Sequence, residues 1–219
     1  MKSVAHEFAR QDLVAGHAVL DFANTVTARD TTPRDWLDGY ARLLEWAALA
    51  GIIEPATAAR LAAAAERAPR EAGAALGRAR KVREALHDVY VALLRKLAPS
   101  GDALGEIEAA WKRATARARL VAAEGVLQPR PERDASGFDL PLDLVVLAAV
   151  DLLGELDLGR TRVCRGHDCG WLFIDTSKGG RRVWCDMATC GNAAKGARFA
   201  RAAKRRRARA TRPRSVAGS

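Results

Sequence analysis

The sequence predicts a mostly α-helical protein: an N-terminal helical bundle with a small β-hairpin, then a compact C-terminal unit in which two short strands precede a strongly basic helix. Three observations predict it. Alanine fills 46 of the 219 positions, which favours helix throughout. Apolar residues recur at three- and four-residue spacing in long stretches up to Leu156. All four cysteines lie between Cys164 and Cys190, after 163 residues with none, so the chain changes character there. We therefore divide it into a helical domain at 1–159, a cysteine-bearing unit with its basic helix at 160–210, and a tail at 211–219. The tail holds proline, glycine and serine and is expected to be disordered.

Taken in order, His17–Val26 places Val19, Leu20, Ala23 and Val26 at helical spacing. Thr32, Pro33 and Asp35 read as an N-cap, a first-turn proline and an acidic third residue, so a helix is expected from there to Gly51, with Trp36, Tyr40, Leu43, Leu44 and Ala47 on one face. Pro55 opens an alanine-rich helix to about Ala68. Arg78–Leu97 carries Val82, Leu86, Val89 and Leu93 on one stripe, and Leu104, Ile107, Trp111 and Ala114 repeat the pattern in the next helix. Such stripes are stable only when buried against one another, hence a bundle. Leu120–Leu127, centred on Gly125, reads as a hairpin and Gln128–Gly137 as a polar loop. Leu142–Leu156 is the last apolar helix.

The net charge of +10 is a sum of unlike parts. Residues 160–219 hold 16 Lys or Arg against 3 Asp or Glu, a balance of +13; the remaining 20 basic and 23 acidic residues leave 1–159 at −3. A near-neutral body with a cationic end calls for a polyanionic partner. No apolar stretch approaches the ~20 residues of a membrane span, and Met1–Gln11 has no apolar signal core. A cytoplasmic protein without membrane contact is expected.

Cys164 and Cys169, then Cys185 and Cys190, form two C-x4-C pairs fifteen residues apart. Four thiolates in two close pairs suit one tetrahedral zinc ion, and four sulfurs close the coordination shell, so the ion is structural. Two disulfides are the competing reading, disfavoured in a reducing compartment. His167, inside the first loop, is an alternative ligand. Between the pairs, Trp171–Ile174 and Arg181–Trp184 read as hairpin strands joined by Asp175–Gly180, and Asn192 as the N-cap of the following helix. Loop, hairpin and second pair at a helix start are the layout of a treble-clef-like zinc finger.

In that helix Lys195, Arg198, Arg201, Arg205, Arg206 and Arg209 share one broad arc, with Lys204 and Arg207 outside it. Beside phosphates their mutual repulsion turns to attraction through counterion release, so nucleic acid is the expected partner, with Lys178, Arg181 and Arg182 extending the surface. DNA is favoured over RNA. The competing readings are an RNA-binding surface and a protein-interaction zinc module. No catalytic residue is assigned: the chain has no G-x-S-x-G, phosphate loop, H-E-x-x-H or cysteine outside the cluster. Asp21 and Asn24, three apart on one helix, serve either as structural hydrogen-bonding groups or in a pocket for a small-molecule ligand. Oligomeric state is left open.

The stretch Trp171–Phe173, Asp175-Thr176-Ser177 and Trp184-Cys185-Asp186-Met187-Ala188-Thr189-Cys190-Gly191-Asn192 resembles the CGNR zinc-finger family. Ala193 stands where that family's motif has arginine. Gly16-His17 and Leu20-Asp21-Phe22-Ala23-Asn24-Thr25 are similar to the ABATE domain that accompanies this finger. The resemblance implies a zinc-binding, stress-induced transcription regulator, with RNA binding also proposed for the family.

Overall fold

The short helix α1 (Ala18–Ala23) lies at the centre of the molecule, with five of its six residues buried. His17 caps it, its Nδ1 accepting the Val19 N–H. Around it stand α2 (Tyr40–Leu49), α3 (Pro55–Arg67), α4 (Pro69–Leu94), α5 (Gly101–Ala116) and, beyond a hairpin and the short α6 (Arg133–Ser136), the apolar α7 (Leu140–Glu155). α1 packs against α4 and α7, and α5 packs against the same two helices. Leu20, Phe22, Trp46, Val82, Leu86 and Val146 meet in one core. The structure is a computed structural model; it describes residues 1–123 and 125–210, with the side chains of 123 and 205–210 outside the description. The expected tail at 211–219 lies outside the described residues.

Two of the expected helices start elsewhere. The segment at 32–39 is not helical: Arg34–Asp35 (β3) is the middle strand of a small sheet, parallel to β1 (Lys2–Ser3) and antiparallel to β2 (Val26–Thr27). The reason is Asp35. Its carboxylate accepts the Leu37 N–H at 2.9 Å and grips the buried Arg83 at 2.6 and 2.9 Å, tying the segment to α4 instead of capping a helix. The Arg83 guanidinium holds the Asp35 carboxyl below the usual carboxylate range despite burial. α2 therefore begins at Tyr40, after Gly39. α4 begins at Pro69 rather than Arg78, because proline is well suited to the first helical turn and α3 ends only two residues before.

The hairpin is present as β4 (Ala118–Ala123) and β5 (Val126–Pro131). It takes in part of what reads as a loop, since Glu132 N–H closes the ladder onto the Arg117 carbonyl and α6 follows. The strands after α7 also depart from expectation. β7 (Leu172–Ile174) pairs antiparallel with β6 (Thr161–Val163), not with Arg181–Trp184, which is not a strand. Asp175 explains the difference: its carboxylate accepts Ser177 N–H, Ser177 hydroxyl and Arg182 N–H, curling 175–182 into a loop. The chain then ends in α8 (Asn192–Ala210). No helix among the described residues is long and apolar enough to cross a membrane.

Candidate metal centre and cationic surface

Because β6 and β7 pair, the loop between them is drawn into a tight knuckle carrying Cys164 and Cys169. Cys185 follows the 175–182 loop, and Cys190 lies in a single π-helical turn, Met187–Gly191, that runs directly into α8. That turn is capped by Asp186, whose carboxylate accepts Thr189 N–H at 2.8 Å; the Gly191 N–H reaches back five residues to the Asp186 carbonyl. The N-cap is thus Asp186 and not Asn192, whose side chain donates to the Ala188 carbonyl inside the helix. Starting the helix between the two cysteines brings Cys190 round onto the same point as Cys185, with the positive helix end beside the sulfurs.

All four Sγ atoms lie within 4.8 Å of one another. Cys169–Cys185 and Cys185–Cys190 separations are 3.7 and 3.8 Å. A tetrahedron with metal–sulfur bonds of ~2.3 Å has edges of about 3.8 Å, so the sulfurs are spaced for one zinc ion. The Gly166 and Cys185 N–H groups each donate to Cys164 Sγ at 3.3 Å. These two backbone donors favour the thiolate form of Cys164. Thiols this close cannot all ionise without a cation. The centre is a closed, structural zinc site with four cysteine ligands. His167 is not part of it; its side chain is 89% exposed.

Gly166 is a site residue that the cysteine pattern does not announce. A Cβ there would stand 2.7 Å from Cys190 Sγ and 3.3 Å from Cys164 Sγ, so only glycine leaves room for the fourth ligand. Its signal in the sequence is the small residue two places after Cys164.

The finger is joined to the bundle along the free edge of β7. In the β6–β7 ladder Val163 and Leu172 face each other, and the Leu172 backbone groups turn away from β6. Asn24 meets both: its Nδ2 donates to the Leu172 carbonyl and its Oδ1 accepts the Leu172 N–H, each at 2.8 Å and buried. The Ile174 N–H donates to the Ala15 carbonyl on the same edge. Trp171 Nε1 donates to the Val26 carbonyl, and Thr31 hydroxyl to the Asp168 carboxylate in the knuckle at 2.6 Å. Trp171 also packs edge-on to Trp36. Asp21 works one step back: its Oδ1 accepts the Ala15 N–H, fixing the segment that pairs with β7, and burial pushes its carboxyl up to about 6. Asp21 in α1 and Asn24 at its C-terminal cap thus both have partners within the chain.

The nine basic residues singled out in the sequence are placed differently from one another. Lys195, Arg198 and Arg201 are exposed along α8, and Lys178 and Arg181 are exposed in the loop before Cys185. Arg182 is half-buried, its guanidinium over the Phe173 ring and donating to the Cys185 carbonyl, so it braces the finger. The side chains of Arg205, Arg206 and Arg209 lie outside the described residues. Arg165, which the sequence reading passed over, is exposed on the knuckle and lines a shallow groove with Arg162 and Arg181. The signal available for it was its place directly after the first ligand.

Comparison with protein families gives two matches. A model named ABATE, described as "Putative stress-induced transcription regulator", matches residues 16–155, and the CGNR zinc finger model matches residues 160–214. No curated protein matches the chain.

Proposed function

The chain belongs to the ABATE family and ends in a CGNR zinc finger, and from that premise we propose that it binds DNA through the finger and regulates transcription. The observation that carries this reading is α8, exposed from Lys195 to Lys204, cationic, and fixed at its root by the four-cysteine centre. A helix of 19 residues is about 28 Å long. The B-DNA major groove admits an α-helix, whereas the major groove of A-form RNA is too narrow for side-chain access. That difference favours DNA over RNA. The bundle supplies the regulatory half: α1 holds β7, so a signal or an assembly partner that moves α1 moves the finger. The closed metal centre fits a binding protein rather than an enzyme, and a reducing cytoplasm suits its thiolates.

The test is the affinity of the zinc-loaded protein for duplex DNA and duplex RNA of matched sequence across a salt series. DNA is expected to bind about tenfold tighter or better, with a few counterions released. Equal affinities with a steep salt slope would reduce the interaction to nonspecific electrostatics, and tighter RNA binding would reverse the assignment. Replacing Arg198 and Arg201 with glutamate is expected to abolish retention; unchanged retention would leave a protein-interaction module.

A further inference from the structure

The cationic surface has a shape as well as a charge. α8 stands away from the zinc knuckle and leaves a cleft of about 1070 Å³ between them. Arg165 and His167 form its knuckle wall, and Arg198, Arg201 and Lys204 form the opposite wall on α8. The rest of its lining is alanine, all on α8: 193, 194, 197 and 202. Among the described residues, no carboxylate and no large aromatic ring lines it. The cleft sorts the helix in a way its charge arc does not. Lys204, outside the arc, faces the cleft; Lys195, inside the arc, does not, and Phe199, 69% exposed, is also outside it.

We propose that this cleft seats the sugar–phosphate backbone of one strand of a DNA duplex, with α8 on the major-groove side of that strand and the knuckle on its outer side. The proposal rests on the DNA-binding reading above and specifies which surface does the binding. Cations on two sides of an open cleft are an arrangement that neutralises a phosphate ridge, and the alanines let the ridge approach the helix closely. A single strand held by its bases would instead need aromatic platforms, which this lining lacks. Arg165 also lines the adjoining groove with Arg162 and Arg181, so the cationic track continues beyond the cleft along the strand.

The experiment compares four full-length, zinc-loaded variants by duplex binding over a salt series, with zinc content confirming the fold. Arg165→Glu and Lys204→Glu are expected to weaken binding about tenfold and to lower the salt slope by at least about one. Ala197→Phe puts a bulky ring into the cleft without changing charge and is expected to weaken binding comparably with little change in slope, while Lys195→Glu, on α8 but outside the cleft, is expected to weaken it at least about threefold less than Arg165→Glu does. If Ala197→Phe binds normally, or Lys195→Glu is as damaging as Arg165→Glu, α8 binds by its outer faces and the cleft assignment falls while DNA binding stands. If a single-stranded oligonucleotide of the same sequence binds more tightly than the duplex and loses that binding in Ala197→Phe, the duplex assignment is overturned. If the unaltered protein does not bind the duplex, or if the Arg198, Arg201 double reversal binds it as tightly as the unaltered protein, the reading of α8 as the DNA-binding element falls together with the cleft.

Discussion

Replacing Asn24 with alanine removes the two hydrogen bonds that close the edge of β7. Both are 2.8 Å long and both partners are backbone groups of Leu172, which has no exposed surface. Truncation leaves a buried N–H and a buried C=O without partners, and each such group costs about 1–3 kcal/mol. The expected loss is therefore about 2–6 kcal/mol, a large fraction of the stability of an ordinary domain. At about 2–4 °C per kcal/mol for a chain of this size, the unfolding midpoint should fall by roughly 4–24 °C. The assay is thermal or denaturant unfolding of the zinc-loaded protein, followed by helix signal and by tryptophan fluorescence, since Trp171 and Trp36 lie at the joint. Asn24→Asp should be no better near neutral pH, because a carboxylate cannot donate to the Leu172 carbonyl. A change below about 1 kcal/mol for Asn24→Ala would show that water replaces the side chain and that β7 is not held by α1.

Other expectations follow from the same contacts. The Asp21 carboxyl titrates near 6 in the folded chain, above its unfolded value of 3.8, so the folded state binds more protons between these values and stability falls as pH rises through that window. Asp21→Asn should remove that fall, worth up to about 3 kcal/mol at pH 8, as read from the difference between the two stability–pH curves. His87 acts in the opposite sense: burial lowers it to about 4, so its contribution grows as pH rises toward its unfolded value. Asp35→Ala leaves the buried Arg83 guanidinium with Glu84 as its remaining carboxylate partner and should cost about 3 kcal/mol in denaturant unfolding. Gly166→Ala should lower zinc affinity about 10–100-fold in competition with a chromophoric chelator. Metal analysis should find one zinc per chain, and Cys164→Ser should lose it and also lower the midpoint of the helical body, because Thr31 bonds the knuckle and Asn24, at the end of α1, bonds β7.

Much of this was legible from spacing. Two C-x4-C pairs give the metal centre, and the apolar stripes give the bundle, because both depend on residues near in sequence. What could not be read depends on distant partners. Asp35 resembles a helix-capping residue until Arg83, 48 positions away, claims its carboxylate. Trp171–Ile174 pairs backward with 161–163 rather than forward, because Asp175 turns the following segment into a loop. Asn24 is recognisable as a polar residue on a buried helix, but its partner lies 148 positions away. The cleft escapes a helical wheel for the same reason: one of its walls is the knuckle, and Arg165 joins Arg201 only in three dimensions.

The pairing of Asn24 with Leu172 makes metal occupancy and bundle folding a single equilibrium. Zinc binds the folded knuckle more tightly than the unfolded chain, so above its dissociation constant each decade of free zinc adds up to about 1.4 kcal/mol to the stability of whatever folds with the knuckle. Since α1 completes the knuckle's strand, that gain reaches the bundle core. The linkage runs both ways: anything that displaces α1 raises the zinc concentration needed to keep the finger in place. A domain of 140 residues, with no metal-binding cluster among its described residues, is thereby made responsive to the metal held by four cysteines outside it.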